Sequence, residues 1–213
     1  FIIGGIAIGV AVIVFMSALL AGLQSNFVRR ALTGQPHIQL LPPKEVVRPL
    51  RGGDAADTLT GAIIQAPLQR FRSIDQWQAI VAQIRAMPEV MVVAPVVTGS
   101  ALAIRGDASR SISVNGVEPE TFFEIVPMDE KIVRGSARVT GTDILIGTEL
   151  ASDLGIGPGD KLRVTSANGV ANTLIITGVF DLGSKGANTR NTYMSLHTAQ
   201  SLLGLPGGVT SLE

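Results

Sequence analysis

An uncharged, apolar run from Phe1 to Leu23 constrains this chain more than any other feature of its sequence. As a helix it would be roughly 34 Å long, which is enough to cross a hydrocarbon core of about 30 Å. Gly4, Gly5 and Gly9 are costly in a soluble helix but common in membrane helices, where small residues allow close packing. The run therefore predicts a transmembrane helix.

Two alternatives stay open for this run, namely a signal peptide and a buried core helix. The apolar part of a signal peptide is about 7–15 residues long and comes after a basic segment. Here the run is longer, and the first charge, Arg29, comes after it. Since the chain begins with Phe1, we expect further sequence upstream. Arg29 and Arg30 favour a cytoplasmic side for the residues after them, but an upstream flank can outweigh them. Charge counting therefore leaves the orientation open.

The charge balance and the absence of cysteine exclude several classes of function. The sequence has 17 Lys and Arg against 17 Asp and Glu, so its net charge is zero. A nucleic-acid partner bound through a basic face is therefore not expected. With no Cys, the chain has no disulfide scaffold, thiol nucleophile or Cys-based zinc site. A hydrophobic fraction of 46% excludes a disordered tail.

The sequence after the apolar run predicts a strand–helix–strand unit. The first strand is Ile38 to Leu41, where apolar and polar residues alternate. A helix over 73–87 comes next, with Ser73 and Gln76 as a capping box. One helical stripe holds its apolar residues, which are Trp77, Ile80, Val81, Ile84 and Met87. The second strand, Val90 to Val97, is nearly all apolar, as in a strand covered on both faces.

Strand patterns dominate the remainder of the chain. One hairpin is predicted around Gly106-Asp107 and another around Asn168-Gly169, a dipeptide suited to tight turns. Thr148 is predicted to cap a short helix that Gly155 closes, and Ser195 to cap a helix that ends at Leu203. Together these elements predict an α+β fold.

The sequence predicts no catalytic, cofactor-binding or metal-binding residue. His37 and His197 are the only histidines, and neither has the spacing of a metal site. No G-x-S-x-G elbow or P-loop is present. Trp77 and Tyr193 are interpreted as packing residues. For the adjacent pair Phe122 and Phe123, packing and ligand contact stay equally open.

A series of stretches, taken in order, resembles the FtsX/MacB-type permeases of ABC transporters. After the apolar helix come GQPHIQLLPP, SIDQWQAIVAQIRAMPEVMVVAPVVTGSALAIRG, SISVNGVEPE, ILIGTELASDLGIGPGDKLRV and NTYMSLHTAQSLLG. PEVMVVAPVV and VNGVEPE look closest to the lipoprotein-releasing LolC/LolE branch. The resemblance covers nearly the whole chain and is carried by the ordered series rather than by any one motif.

The resemblance implies a transmembrane helix followed by a MacB-like periplasmic domain. Residues 1–30 would be the transmembrane helix and stalk, and 31–114 the first half of a strand–helix–strand lobe, called Porter. A mostly β insertion, called Sabre, would occupy 115–184, and 185–213 would return to the Porter-like lobe. The second half of that lobe, starting near Val209, and three further membrane helices are expected to lie beyond this sequence.

The resemblance also implies a non-enzymatic mechanism without a cofactor. A separate cytoplasmic ATP-binding subunit would drive the membrane helices, and a second permease subunit would complete a homo- or heterodimer. Membrane lipid and a periplasmic protein are further expected partners. The location would be the inner (plasma) membrane, with residues after about 30 in the periplasm. The domain would then extrude or release a substrate.

Two other classes of function stay open from the sequence. One is an extracytoplasmic binding module anchored by a single helix, and the other is a membrane-anchored hydrolase. Three more apolar spans in the full gene would favour the permease over the binding module. A cleft holding a base within hydrogen-bond reach of a nucleophile would favour the hydrolase. The sequence does not name a cargo.

Overall fold

The computed structural model describes residues 2–32, 38–42, 72–74 and 76–213. The helices in these ranges are α1 (Ile2–Leu32), α2 (Trp77–Arg85), α3 (Pro119–Ile125), α4 (Met128–Lys131), α5 (Thr148–Leu154), α6 (Lys185–Arg190) and α7 (Leu196–Leu203). The strands are β1 (Pro95–Arg105), β2 (Ala108–Val117), β3 (Ile132–Gly135), β4 (Asp143–Gly147), β5 (Lys161–Ser166), β6 (Ala171–Phe180), β7 (Asn191–Ser195) and β8 (Ser211–Leu212). The predicted α+β class is confirmed.

The N-terminal helix α1 is long and apolar enough to cross a membrane. Its segment Ile2–Ser25 has a mean hydropathy of 2.7, and none of that segment is buried against the rest of the protein. A fully exposed apolar surface of this length does not fit a buried core helix, which is one of the alternatives. The helix continues without a break from this segment to Leu32.

The strands form one sheet that closes on itself. Its order is β2-β7-β4-β6-β5-β1-β8, and β2 also pairs with β1, so the strands from β2 to β1 make a ring. β1 and β2 form the predicted hairpin, with Arg105 opposite Ala108 around the turn at Gly106-Asp107. Since β8 pairs with β1 outside the ring and β3 pairs with β6, both extend the sheet beyond it.

Most of the apolar core lies on one face of this sheet, together with helices α5 and α7. Along β1, Val97, Ala101 and Ala103 are buried. The residues at positions 100, 102 and 104 are exposed or half-buried. This alternation reflects the two-residue period of a strand. The residues at 199, 202 and 203 of α7 and at 150, 151 and 154 of α5 belong to the same core.

A second apolar cluster covers the opposite face of the sheet, under α3 and α4. Phe122, Phe180 and Tyr193 are buried in it, and Tyr193 lies 5.3 Å from Phe180 and 5.7 Å from Phe122, between ring centroids. Met128 is fully buried in the same cluster. Tyr193 is a packing residue, as predicted, and it belongs to strand β7.

A segment from early in the chain meets the last residues at a place we call the junction, formed by residues 38–42, 94–96 and 209–213. Leu40 and Leu212 exchange two backbone hydrogen bonds, of 2.8 and 3.1 Å. On the other edge of β8, Ala94 and Glu213 exchange two bonds of 2.9 Å. The predicted first strand is therefore seen as a single bridge at Leu40, with β8 between it and β1.

Three local predictions are wrong in detail. The strand predicted over Val90–Val97 begins only at Pro95. The predicted capping box is absent because α2 begins at Trp77, and the Gln76 side chain makes no capping hydrogen bond there. Thr148 does not cap α5, since it is the first residue of the helix and Gly147 precedes it.

Other local predictions are confirmed. Gly155 and Gly204 end their helices in the left-handed conformation, and the Ser195 side chain accepts a bond from the Thr198 amide. The second hairpin turns at Asn168-Gly169, but only Gly169 has a positive φ, of 81°. This is a type I turn followed by a glycine bulge.

His37 and the segment 43–71 lie outside the described residues.

Candidate functional site

A groove of about 390 Å³ opens between the start of α2, the segment before α3 and helix α7. Its walls are mostly apolar. Ten residues line the groove: Trp77, Gln78, Val117, Glu118, Pro119, Ser195, Leu196, His197, Gln200 and Gly207. An apolar recess with a few polar groups is the usual form of a binding site, so this groove is the candidate functional site.

Trp77 is held in the groove wall by a hydrogen bond to the turn after α7. Its indole Nε1 donates to the carbonyl oxygen of Gly207 over 3.0 Å. The residue before it, Gln76, has a φ of 54°, which is uncommon for a residue other than glycine. This left-handed residue sets the direction in which α2 begins and so places Trp77 against the turn. The indole therefore presents an apolar body to the groove while its polar atom is satisfied.

Gln200 fixes the same turn from α7. Its side chain is only 8% exposed, and Nε2 donates to the Gly208 carbonyl oxygen over 2.9 Å. A buried amide of this kind needs a partner, because an unpaired one would carry a desolvation cost. The turn at Gly207 and Gly208 is thus tied to α2 by Trp77 and to α7 by Gln200.

Glu118 and His197 are the titratable side chains that line the groove. Glu118 precedes Pro119 at the start of α3. A carboxylate is stabilised at the N-terminus of a helix by the helix dipole. His197 is exposed on the first turn of α7, whose start is fixed by the Ser195 cap. The groove therefore combines an apolar wall with one acidic and one imidazole side chain, an arrangement suited to binding.

The whole chain, including the apolar helix, fits one known family. The family model of the MacB-like periplasmic core domain matches residues 1–212. The chain belongs to this family. The predicted resemblance to FtsX/MacB-type permeases is thereby confirmed at the family level.

Solved structures of two transporter domains resemble this MacB-like periplasmic core domain at low identity. The extracellular domain of the noncanonic ABC-type transporter YknZ from Gram-positive bacteria has a TM-score of 0.50 at 13% identity, over 63% of this chain and 70% of that one. The periplasmic region of MacB from Actinobacillus actinomycetemcomitans has a TM-score of 0.46 at 13% identity, over 63% of this chain and 62% of that one. The chain thus spans less than two thirds of the MacB structure. No curated protein sequence matches the chain significantly.

The MacB-like domain brings together two of the residues considered from the sequence. Trp77 and His197 both line the groove, although the sequence predicts an ordinary structural role for each. Phe122 and Tyr193 lie instead in the second cluster, and Phe123, half-buried, lies 6.4 Å from Phe122 between ring centroids. Packing is therefore the role of Phe122.

Sequence reasoning missed Glu118, Gln200 and Gly207 as parts of the groove. Gln200 carries a weak signal, because it is a polar residue within the short apolar helix α7. Gly207 carries none, since its part depends on a tertiary bond to Trp77 across 130 positions of sequence.

Two titratable side chains meet where the junction borders the second cluster. Burial raises the pKa of Tyr193 to about 12, and the nearby Glu213 carboxylate acts in the same direction. Burial also raises the pKa of Glu213, while a 3.0 Å hydrogen bond from Gln39 Nε2 acts against that increase. Both increases reflect the removal of these groups from water, which disfavours their charged forms.

No group of three or more His, Asp or Glu side chains gathers as a metal site among the residues that the structure describes.

Proposed function

We propose that this chain is part of the permease subunit of an ABC transporter, in which it transmits ATP-driven motion to an extracytoplasmic domain. The observation that carries the proposal is the unbroken helix α1, which runs from Ile2 past the apolar span to Leu32. From Ser25 to Leu32 the helix extends about 10 Å beyond the span, at roughly 1.5 Å per residue. A continuous helix transmits a displacement along its axis, whereas a flexible linker absorbs it.

The proposed role determines the partners. A separate cytoplasmic ATP-binding subunit supplies the motion, and a second permease subunit completes a homo- or heterodimer. Lipid surrounds α1, and a periplasmic protein receives or guides the cargo. The chain lies in the inner membrane with its domain in the periplasm. Membership of the MacB-like family and the apolar α1 support this arrangement.

Two lobes are proposed within the domain, and the sheet suggests how they join. The Porter-like lobe of residues 31–114 and 185–213 contains α2 and the junction, and the Sabre-like insertion of residues 115–184 contains β4, β5 and β6. β1 pairs with β5 of the insertion and with β8 of the Porter-like lobe, and β7 of the Porter-like lobe pairs with β4 of the insertion. The lobes would therefore move together at the ring, which suits a domain that passes on a displacement.

The work of the subunit is mechanical rather than catalytic, with release of a lipoprotein or efflux of a smaller substrate as the outcome. Mass spectrometry of molecules that copurify with the full-length permease and its ATPase distinguishes the two. Acylated protein would indicate lipoprotein release, and a small molecule would indicate efflux.

A helix-breaking substitution in the full-length protein tests the proposed mechanism. Ser25→Pro removes an α1 hydrogen bond just at the end of the span and kinks the helix, whereas Ser25→Ala leaves it straight. With Ser25→Pro, we expect the complex with the ATPase to assemble and hydrolyse ATP, while substrate release falls roughly tenfold, the effect of about 1.4 kcal/mol of lost coupling. Equal release by the two variants would contradict the proposal, as would the failure of the wild-type chain to associate with any ATPase.

The groove at Trp77 favours a second candidate, a binding module anchored by a single helix. Its apolar wall and its Glu118 and His197 side chains would hold a ligand without any ATPase. Full-length protein purified from the membrane distinguishes the two functions. The binding module predicts retention of ligand without an associated ATPase, and loss of the ligand with Trp77→Ala.

A further inference from the structure

The exposed apolar side chains outside α1 concentrate at one end of the domain. Nine large apolar residues in the described part of the chain after α1 are exposed, and five of them belong to two short segments. We call these five the junction patch: Ile38, Leu40, Leu41, Met87 and Met91. Met91 is 97% exposed and Ile38 is 80% exposed. Single exposed apolar residues are ordinary, but a concentration of them marks a contact surface.

Backbone pairing brings the two segments to the same place. Leu40 is bonded to Leu212 on one edge of β8, and Ala94 is bonded to Glu213 on the other edge. Leu40 and Ala94 are therefore two strand spacings apart there, or about 10 Å. Met91 precedes Ala94 by three residues, and Arg85, close to Met87 in sequence, is bonded to Val93, so the segment 87–91 also lies near this end of β8.

The chain connects this patch closely to the membrane span. Ile38 comes six positions after the end of α1 at Leu32, a length of chain that reaches at most about 20 Å. From the junction, β1 extends from Pro95 to Arg105. Since a strand rises about 3.3 Å per residue, its far turn at Asp107 lies roughly 30 Å or more from the junction.

The chemistry of the patch matches the boundary of a lipid bilayer. Three of its members are Ile or Leu, and the other two are Met, whose unbranched side chain adapts to an irregular apolar surface. Two charged side chains lie beside the patch: Arg85, whose Nη2 donates to the Val93 carbonyl oxygen over 3.3 Å, and the exposed Glu89, between Met87 and Met91. These opposite charges offset each other, so attachment at this level rests on the apolar side chains.

We infer that the junction patch sits in the surface of the bilayer that α1 spans, on the periplasmic side, and fixes the height of the domain above the lipid. This inference depends on α1 crossing the membrane, as proposed above. In this position the five side chains are buried among lipid headgroups and the first methylenes of the acyl chains. The patch then gives the domain a second attachment to the membrane besides its helix.

Site-directed fluorescence tests the inference in the full-length protein, and the absence of Cys from this sequence simplifies labelling within it. Single Cys residues are introduced at Ile38, Met91, Leu102 and Asp107, and an environment-sensitive dye is attached. The protein is reconstituted in vesicles of phosphatidylethanolamine and phosphatidylglycerol. Quencher-bearing lipids, labelled either near the headgroup or deep in the acyl chain, report the depth of each dye. Leu102 is the matched control, since it is an exposed apolar residue on β1.

A fifth label at Val12, in the middle of the span, separates the two claims. We expect the deep quencher to remove most of the fluorescence at Val12, and the shallow quencher to remove most of it at Ile38 and Met91. The dyes at Leu102 and Asp107 should keep their fluorescence with either quencher. Quenching at Val12 but not at Ile38 and Met91 would overturn the inference alone. A blue shift at those two positions without lipid quenching would overturn it in favour of a protein contact. No quenching at Val12 would overturn both the inference and the membrane-spanning role of α1.

Discussion

Gly116 on β2 lies directly against Ala199 on α7. A Cβ atom added to Gly116 would overlap the methyl group of Ala199 and would lie 3.4 Å from the Cα of Leu196. The absence of a side chain at position 116 therefore lets α7 pack closely onto the sheet. Because α7 also carries one wall of the groove, this contact sets the position of the candidate site.

We expect Gly116→Ala to destabilise the protein by about 1–3 kcal/mol, the usual cost of overfilling a packed site. Urea unfolding in mild detergent measures the change. Gly157→Ala is the control, because a Cβ there meets no atom within 4 Å. Ala199→Gly should recover much of the loss in the double variant, although it costs about 1 kcal/mol by itself. Strictly additive effects of the two substitutions would contradict this packing.

Tyr193 should ionise at a higher pH than an exposed tyrosine. It is the single tyrosine of this sequence, so its ionisation can be followed separately. Its pKa is raised to about 12, against an unfolded value of about 10. The neutral phenol is therefore favoured in the folded state. The stability that this raised pKa contributes is present below pH 10 and is lost as the pH rises from there through 12.

Absorbance at 295 nm during an alkaline titration measures the ionisation of the Tyr193 phenol directly. The folded protein should ionise near pH 12 and the urea-unfolded protein near pH 10. Tyr193→Phe should lose less stability than the wild type over the same pH range. Ionisation of the folded protein at the unfolded value would show that Tyr193 is open to solvent.

Trp77 is expected to stabilise the turn after α7 through its bond to Gly207. Trp77→Phe keeps an aromatic ring in the groove wall but loses the indole donor, so we expect a loss of about 1 kcal/mol. Gln78→Ala is the control, since Gln78 is the next residue and is exposed. Urea unfolding monitored by circular dichroism measures both. Equal stability of the two variants would mean that water replaces the indole without cost.

Asp181 should contribute stability that acid removes. Its pKa is lowered, first by a 2.7 Å hydrogen bond from Asn188 Nδ2 and then by the Gly183 amide. A carboxylate with a lowered pKa stabilises the fold above the unfolded value of 3.8 and loses this effect as the pH falls through the lower, folded value.

The Asp181→Asn variant should therefore lose less stability than the wild type as the pH falls below 3.8. Asp107→Asn, a change in the exposed turn of the first hairpin, is the matched control and should behave as the wild type. The prediction fails if the acid sensitivity of Asp181→Asn equals that of the control.

Local sequence signals predict the elements whose ends are set by neighbouring residues. The hairpin at Gly106-Asp107 and the helix from Ser195 to Leu203 are examples, because turn and cap residues act within a few positions. Gln76 shows the limit of this reasoning. A glutamine gives no signal for a left-handed backbone, and the bond between Trp77 and Gly207 accounts for the start of α2 better than a capping box does.

The closed sheet and the groove are not predictable from local pattern. Pairing of β2 with β7, or of β1 with β8, depends on contacts between distant parts of the chain, which periodicity does not encode. Gly116 has the sequence context of an ordinary strand residue, because its use is visible only once α7 is in place. Resemblance to a family predicted the N-terminal helix followed by a MacB-like domain, but neither the closed sheet nor the groove.

The junction also imposes an order of events on biosynthesis. Gln39 and Glu213, which are hydrogen-bonded there, lie 174 positions apart. At about 5–20 residues per second, the ribosome delivers β8 roughly 9 to 35 s after the strand at Leu40. During that interval the segment 38–42 and the start of β1 have no β8 to pair with, and unpaired edges attract other chains. Until β8 arrives, these edges are open to pairing with other chains.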